Sequence, residues 1–140
     1  MTTEERNIRE AAFLKVHVFY GLHDKNHGFD SMNIAYYKEA EFRIVLERCK
    51  AMGIGLYGIE PWKGGQFFDV MTPKDDRDCD NPDWYFTAFE TFVALREDLD
   101  YAATYHVPDH LLELEYFPAN PHYIFLKDFI EKKRNSGFTG

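Results

Sequence analysis

The residues best equipped for chemistry lie in a few polar stretches. Between Gly21 and Asp30 the chain reads Gly-Leu-His23-Asp24-Lys-Asn-His27-Gly-Phe-Asp30, two histidines and two carboxylates in a run too polar for a core. Imidazole and carboxylate are ordinary ligands for zinc and related metals when geometry lets them converge. His106, Asp109 and His110 repeat the His-x-x-x-His spacing. On a helix that spacing sets both rings on one face. Here the first pair falls in an expected loop and the second straddles an expected turn at Pro108-Asp109. The helical argument therefore fails for both pairs. The histidines read as solvated loop side chains, and no metal, cofactor or catalytic residue is assigned.

A second arrangement follows from hairpin register. Gly64-Gly65 suits a two-residue turn, which opposes Lys63 to Gln66, Trp62 to Phe67 and Glu60 to Asp69. Directly opposed carboxylates repel. They persist when they bind a cation, share a proton or lie in water. A shared proton would raise one pKa into the range of acid–base work. A one-residue slip would pair Glu60 with Phe68 instead and dissolve the conflict, and that slip is the favoured expectation.

The third stretch is Thr72-Pro-Lys-Asp75-Asp76-Arg-Asp78-Cys-Asp80-Asn-Pro-Asp83-Trp84-Tyr85. Dense negative charge beside two aromatic rings can engage a basic protein surface: charge steers the encounter and a ring supplies buried area. The Asp76-x-Asp78-x-Asp80 spacing resembles the opening of a calcium loop. However, Asn81 stands where the central glycine belongs, and Glu90 comes three residues late for the closing ligand. Calcium binding is not assigned.

The elements that must position these residues are legible from periodicity. Thr2 and Glu5 form a capping box for a helix to about Ala12. Phe13–Tyr20 alternates as a strand, with Leu14, Val16, Val18 and Tyr20 on one side, although a continuous helix also fits. Ser31–Met52 is the clearest helix, carrying Phe42, Val45, Leu46, Cys49 and Met52 on one stripe, with Gly53 placed to end it. Ile54–Glu60 and Phe67–Thr72 flank the Gly64-Gly65 turn. Asn81-Pro82 caps a helix to about Asp98. Tyr101–Val107 reads as a strand, Leu112–Phe117 as a weaker one, and Asn120-Pro121 opens a last helix with Phe125, Leu126, Phe129 and Ile130 inward. In order this is α+β: a ferredoxin-like β-α-β-β-α-β core with an antiparallel sheet, plus additional N- and C-terminal helices. Residues 1–140 are expected to form one domain.

Composition narrows the classes. Thirteen Phe, nine Tyr and two Trp make 17% aromatics, enough to build a core from few residues and to spare some for a partner. Two distant cysteines, Cys49 and Cys79, do not make a disulfide framework. The charged start has no apolar leader, and no run approaches a membrane span, so the expected location is the cytoplasm. The net charge is −8, and between Asp69 and Asp100 ten carboxylates face only Lys74, Arg77 and Arg96, leaving −7 there. That field repels phosphate backbones and attracts basic surfaces, so direct nucleic-acid binding is disfavoured. Phosphate-cradling glycine loops and nucleophile elbows are absent.

The leading functional expectation is thus a small acidic protein, of the immunity-protein or phage-inhibitor kind, that binds and masks a basic macromolecular surface. Asp75, Asp76, Asp78, Asp80, Asp83, Trp84 and Tyr85 would form the contact with a basic protein partner. One alternative is a small-molecule binding or sensing domain, compatible with a homodimer, whose pocket would be lined by Tyr57, Trp62 and Phe67. The other is a metal-dependent enzyme using His23, Asp24 and His27.

Overall fold

A computed structural model describes residues 2–113 of the 140. The helix expected from Asn120, and most of the strand expected from Leu112, lie outside these residues. The chain packs as two compact units. Residues 2–20 and 108–113 belong to one, and Gly21–Val107 forms the other.

The first unit is organised by helix α1, Thr3–His17. The Thr2 hydroxyl accepts from the Glu5 amide at 3.1 Å, so the expected cap is present. The strand expected over Phe13–Tyr20 is a correction: the helix continues through His17, and Val18 still donates its amide to Leu14. Phe13, Leu14 and Val18 are the buried positions, a helical i, i+1, i+5 set rather than an alternating one. Arg6 pairs with Asp109, and the Arg9 guanidinium donates to the Leu112 carbonyl at 3.4 Å. These contacts tie the short 3-10 turn Asp109–Leu111 to α1.

The second unit is a sheet with two helices. Helix α2 runs Glu39–Met52, strand β1 Gly55–Lys63, strand β2 Gln66–Phe67, helix α3 Pro82–Val93 and strand β3 Asp100–His106. Among the described residues the sheet has three antiparallel strands in the order β2-β1-β3. The molecule is therefore α+β. Of the expected β-α-β-β-α-β order, the last five elements are present, and the position of the opening strand is helical.

The helix α2 begins at Glu39, not Ser31, because Tyr37 leaves the helical path to pair with Tyr101 of β3 through two amide–carbonyl bonds of 2.9 and 2.7 Å. It ends as expected at Gly53, whose φ of 72° few other residues tolerate. Asn81 caps α3 by accepting from the Asp83 amide, with Pro82 at its first position. The helix stops at Val93 rather than near Asp98, and Arg96 turns the chain with a φ of 56°.

Phe42 of α2 stacks on Tyr101 at 5.3 Å between centroids, and Phe89 of α3 meets the same ring edge-on at 5.1 Å. All three are at most 1% exposed. Aromatic pairs of this geometry contribute about 0.5–1.5 kcal/mol each beyond their buried area. Among the described residues these rings centre a core that Val45, Leu46, Cys49, Leu56, Ile59 and Phe92 fill. Among the described residues, no helix is long and apolar enough to cross a membrane.

Candidate functional site in the acidic segment

Segment 72–85 leaves the hairpin, makes a 3-10 turn at Asp76–Asp78 and enters α3. Asp75 opens the turn by accepting from the Arg77 amide at 2.9 Å, and it pairs with the Arg77 guanidinium at 2.7 Å. The hydrogen bonds from the Arg77 guanidinium and amide hold the Asp75 carboxyl below its ordinary pKa. The one arginine of the segment is thereby engaged. Asp76, Asp78 and Asp83 are exposed, and their side chains make no hydrogen bond or ion pair with a described residue.

Several acids elsewhere in this unit are differently placed, although Glu39, Glu47 and Asp69 are exposed as well. Glu41 pairs with His23, Glu90 with Arg43, Glu97 with Lys63, and Asp98 and Asp100 share Lys38. Within the segment the exposed negative charge sits chiefly on Asp76, Asp78 and Asp83, with Arg77 beside Asp78.

The aromatic residues of the segment do not serve as expected. Tyr85 is 0% exposed and belongs to the core, because the helical register of α3 aims it inward together with Phe89 and Phe92. It cannot present its ring to a partner. Trp84 is half-buried, and its indole N–H is shared between the Leu56 carbonyl at 3.2 Å and the Cys79 carbonyl at 3.1 Å. Its role is to clamp the segment onto β1.

Asp80 is drawn into a different group. Its Oδ1 lies 2.9 Å from His106 Nδ1 and 3.5 Å from Cys79 Sγ, and that sulfur lies 3.6 Å from the same ring nitrogen. Cys79 is buried, and burial pushes its thiol pKa up to about 11, helped by the hydrogen bond and charge of Asp80 and by Asp76 and Asp78. Three pieces of backbone assemble the group. Leu56 donates its amide to the Cys79 carbonyl at 3.0 Å, and Gly55 pairs with His106 across β1 and β3. The ladder is irregular between Leu56 and Gly58, so Tyr57 is the extra residue of a bulge, and its ring lies 5.3 Å from that of His106. Gly55 is required here: a Cβ on it would sit 2.2 Å from Asp80 Oδ1 and 2.9 Å from the Cys79 carbonyl oxygen.

The other sequence candidates have structural duties. Asp24 Oδ1 accepts from the Asn26 and Tyr36 amides at 2.8 and 2.9 Å. Buried Asn26 donates to the Ser31 and Ile34 carbonyls, and Tyr36 donates to Asp30. His23 faces Glu41 at 3.2 Å. The stretch Gly21–Asp30 is thus a tied loop whose side chains do not converge with His27. Of the second histidine group, Asp109 is engaged by Arg6 in the first unit, while His106 is held by Asp80.

The opposed Glu60–Asp69 pair does not form either, and not through the turn. Gly64 and Gly65 have φ of 57° and 77°, the two-residue turn, and Trp62 faces Phe67 as expected. Beyond it the amides of Phe68 and Asp69 both reach the Pro61 carbonyl, at 3.1 and 3.4 Å, and pairing resumes between Ile59 and Met71. One extra residue on the returning chain shifts Asp69 off Glu60, which instead accepts from the Trp62 indole at 3.2 Å.

Of the expected pocket residues, Trp62 meets Phe67 edge-on at 6.5 Å, while the Tyr57 ring lies against His106. Trp62 packs against Phe29 and Tyr36, at 5.5 and 5.6 Å. An open groove runs along α3, lined by Phe86, Thr87, Glu90, Thr91, Ala94 and Leu95. No protein-family model, curated protein or solved structure matches this chain.

Proposed function

We propose that this chain is a small acidic binding protein, acting in the cytoplasm, which covers a basic macromolecular surface with the segment that carries Asp76 and Asp78 on its turn and Asp83 at the start of α3. One observation supports the reading. These three carboxylates are exposed on one short segment and make no hydrogen bond or ion pair with a described residue, whereas Glu90, Glu97, Asp98 and Asp100 of the same unit face a lysine or arginine. Charges left facing solvent raise the encounter rate with an opposite surface and fix its orientation. With Tyr85 in the core and Trp84 clamped, the contact is electrostatic and lacks an aromatic anchor. It therefore weakens steeply as salt screens it, with a Debye length of about 10 Å at 0.1 M. A phosphate-rich partner is disfavoured by the same sign of charge.

The test is affinity capture from lysate of the source cells with the wild-type chain and with Asp76→Lys, Asp78→Lys, Asp83→Lys in parallel. A basic protein held by the first at low salt, released as salt rises and not held by the second is the expected result. Equal retention by both would overturn the reading.

A further inference from the structure

The geometry points to a metal centre at the end of β3, in which Cys79 Sγ, Asp80 Oδ1 and His106 Nδ1 bind one borderline-soft divalent cation of the zinc type. Among the described residues this is the place where three potential ligand atoms of different residues converge on one point.

The spacing suits such an ion. With metal–sulfur, metal–nitrogen and metal–oxygen bonds of about 2.3, 2.05 and 2.0 Å, tetrahedral coordination separates S from N by about 3.6 Å, S from O by about 3.5 Å and N from O by about 3.3 Å. The observed separations are 3.6, 3.5 and 2.9 Å. Two edges of the tetrahedron are already set, and only the imidazole–carboxylate edge has to open, by about 0.4 Å. Asp80, whose side chain is 53% exposed, is free to make that adjustment.

A cysteine-nucleophile triad is the rival arrangement for these residue types, and the geometry argues against it. In a triad the thiol addresses one imidazole nitrogen and the carboxylate orients the other. Here sulfur and carboxylate oxygen converge on the same nitrogen, Nδ1. Convergence on one point is what a cation requires.

The donor set selects the ion. Thiolate, imidazole and carboxylate together favour zinc and its neighbours over magnesium and calcium, which take oxygen ligands. Three protein ligands leave the fourth position to water or another exchangeable ligand. On binding, the Cys79 S–H bond breaks, sulfur donates its electron pair to the metal, and one proton leaves to solvent. The Nδ1 lone pair is used likewise, so the ring proton resides on Nε2. Asp76 and Asp78, whose charges already bear on the Cys79 sulfur, draw the cation toward the site. The fit is independent of the proposed basic partner, which is addressed by Asp76, Asp78 and Asp83.

Cobalt(II) titration of the chelator-treated full chain tests the assignment. The expected result is a sulfur-to-cobalt charge-transfer band in the near ultraviolet with visible bands of four-coordinate intensity. Both saturate at one equivalent and are displaced by zinc(II) but not by magnesium or calcium. Cys79→Ser and His106→Ala abolish the charge-transfer band, and His23→Gln with His27→Gln leaves it unchanged. Circular dichroism of the metal-free variants monitors folding. Should Cys79→Ser unfold, Asp80→Asn, a change at an exposed carboxylate, must lower zinc affinity at least tenfold. Absence of the band, its persistence in Cys79→Ser, or unchanged affinity in Asp80→Asn overturns the metal centre and leaves the trio as a hydrogen-bonded cluster.

Discussion

Replacing Gly55 by alanine sets two physical effects against each other, and the structure decides which wins. Alanine in a strand is ordinarily favourable over glycine by about 0.5–1 kcal/mol, because the unfolded chain has less freedom to lose. Against this, the new methyl group would lie 2.2 Å from Asp80 Oδ1 and 2.9 and 3.0 Å from the Cys79 carbonyl oxygen and carbon. The first contact is inexpensive. The Asp80 side chain is 53% exposed and can rotate away, at the loss of its hydrogen bond with His106, an interaction of about 0.5–1.5 kcal/mol. The second contact cannot be relieved so easily. The Cys79 carbonyl is fixed by the Leu56 amide at 3.0 Å and the Trp84 indole at 3.1 Å, so the backbone of the segment must move against two hydrogen bonds. Overpacking that shifts backbone costs typically 1–3 kcal/mol, and this exceeds the entropic gain. Gly55→Ala should therefore lower the urea midpoint with an unchanged m value, and lower Tm by roughly 3–4 °C for each kcal/mol in a chain of this length. Combining it with Asp80→Ala separates the two contacts. The double variant should keep most of the loss, since the carbonyl contact survives. A Gly55→Ala chain as stable as the wild type, or one whose destabilisation vanishes with Asp80→Ala, would refute the packing argument.

Two further perturbations probe the same framework. Trp84→Phe removes the indole N–H that serves the Leu56 and Cys79 carbonyls; leaving these without that donor should cost about 1–3 kcal/mol in urea unfolding. A change below about 0.5 kcal/mol would mean that the clamp is not needed to hold the segment. His17, against the Phe13 ring at 4.5 Å, has its pKa lowered from 6.5 by burial. The unfolded chain therefore takes up that proton at a higher pH than the folded one. This contribution to stability is present above pH 6.5 and is lost as pH falls through the folded value. Chemical denaturation between pH 8 and 5 should show that loss, and His17→Gln should reduce it; an identical slope in the variant would contradict the assignment.

What the sequence reveals and what it hides follow from the range of each signal. The Thr2–Glu5 cap, the Gly53 stop, the Gly64-Gly65 turn and the Asn81-Pro82 start are local, each encoded by one or two residues whose conformational demands are met nowhere else nearby. Phe13–Tyr20 misleads because Leu14, Val16, Val18 and Tyr20 satisfy an alternating pattern while Phe13, Leu14 and Val18 satisfy a helical one. Burial decides between them: Val16 is half-buried and Tyr20 is 56% exposed. Arg96 ends the path of α3 in a left-handed conformation that favours glycine, so no residue type announces the stop. Length also misled at Tyr37, whose partner Tyr101 lies far along the chain and pulls it from the helix into a bridge.

The candidate centre was out of reach of spacing rules for the same reason. Cys79 and Asp80 are adjacent, but His106 lies 27 residues from Cys79 and arrives only because β3 pairs with β1 at Gly55. His23, Asp24 and His27 have the more suggestive local spacing, and the tied loop assigns them to other partners. A pattern within ten residues is informative only if those residues are free to turn toward one another. Asp24 is not, because the Asn26 and Tyr36 amides already hold its Oδ1. In this chain the pairing of Gly55 with His106, and the absence of a side chain at Gly55, let Asp80 and Cys79 lie beside His106. The pairing is a property of the β1–β3 register, which the sequence of the acidic segment does not encode.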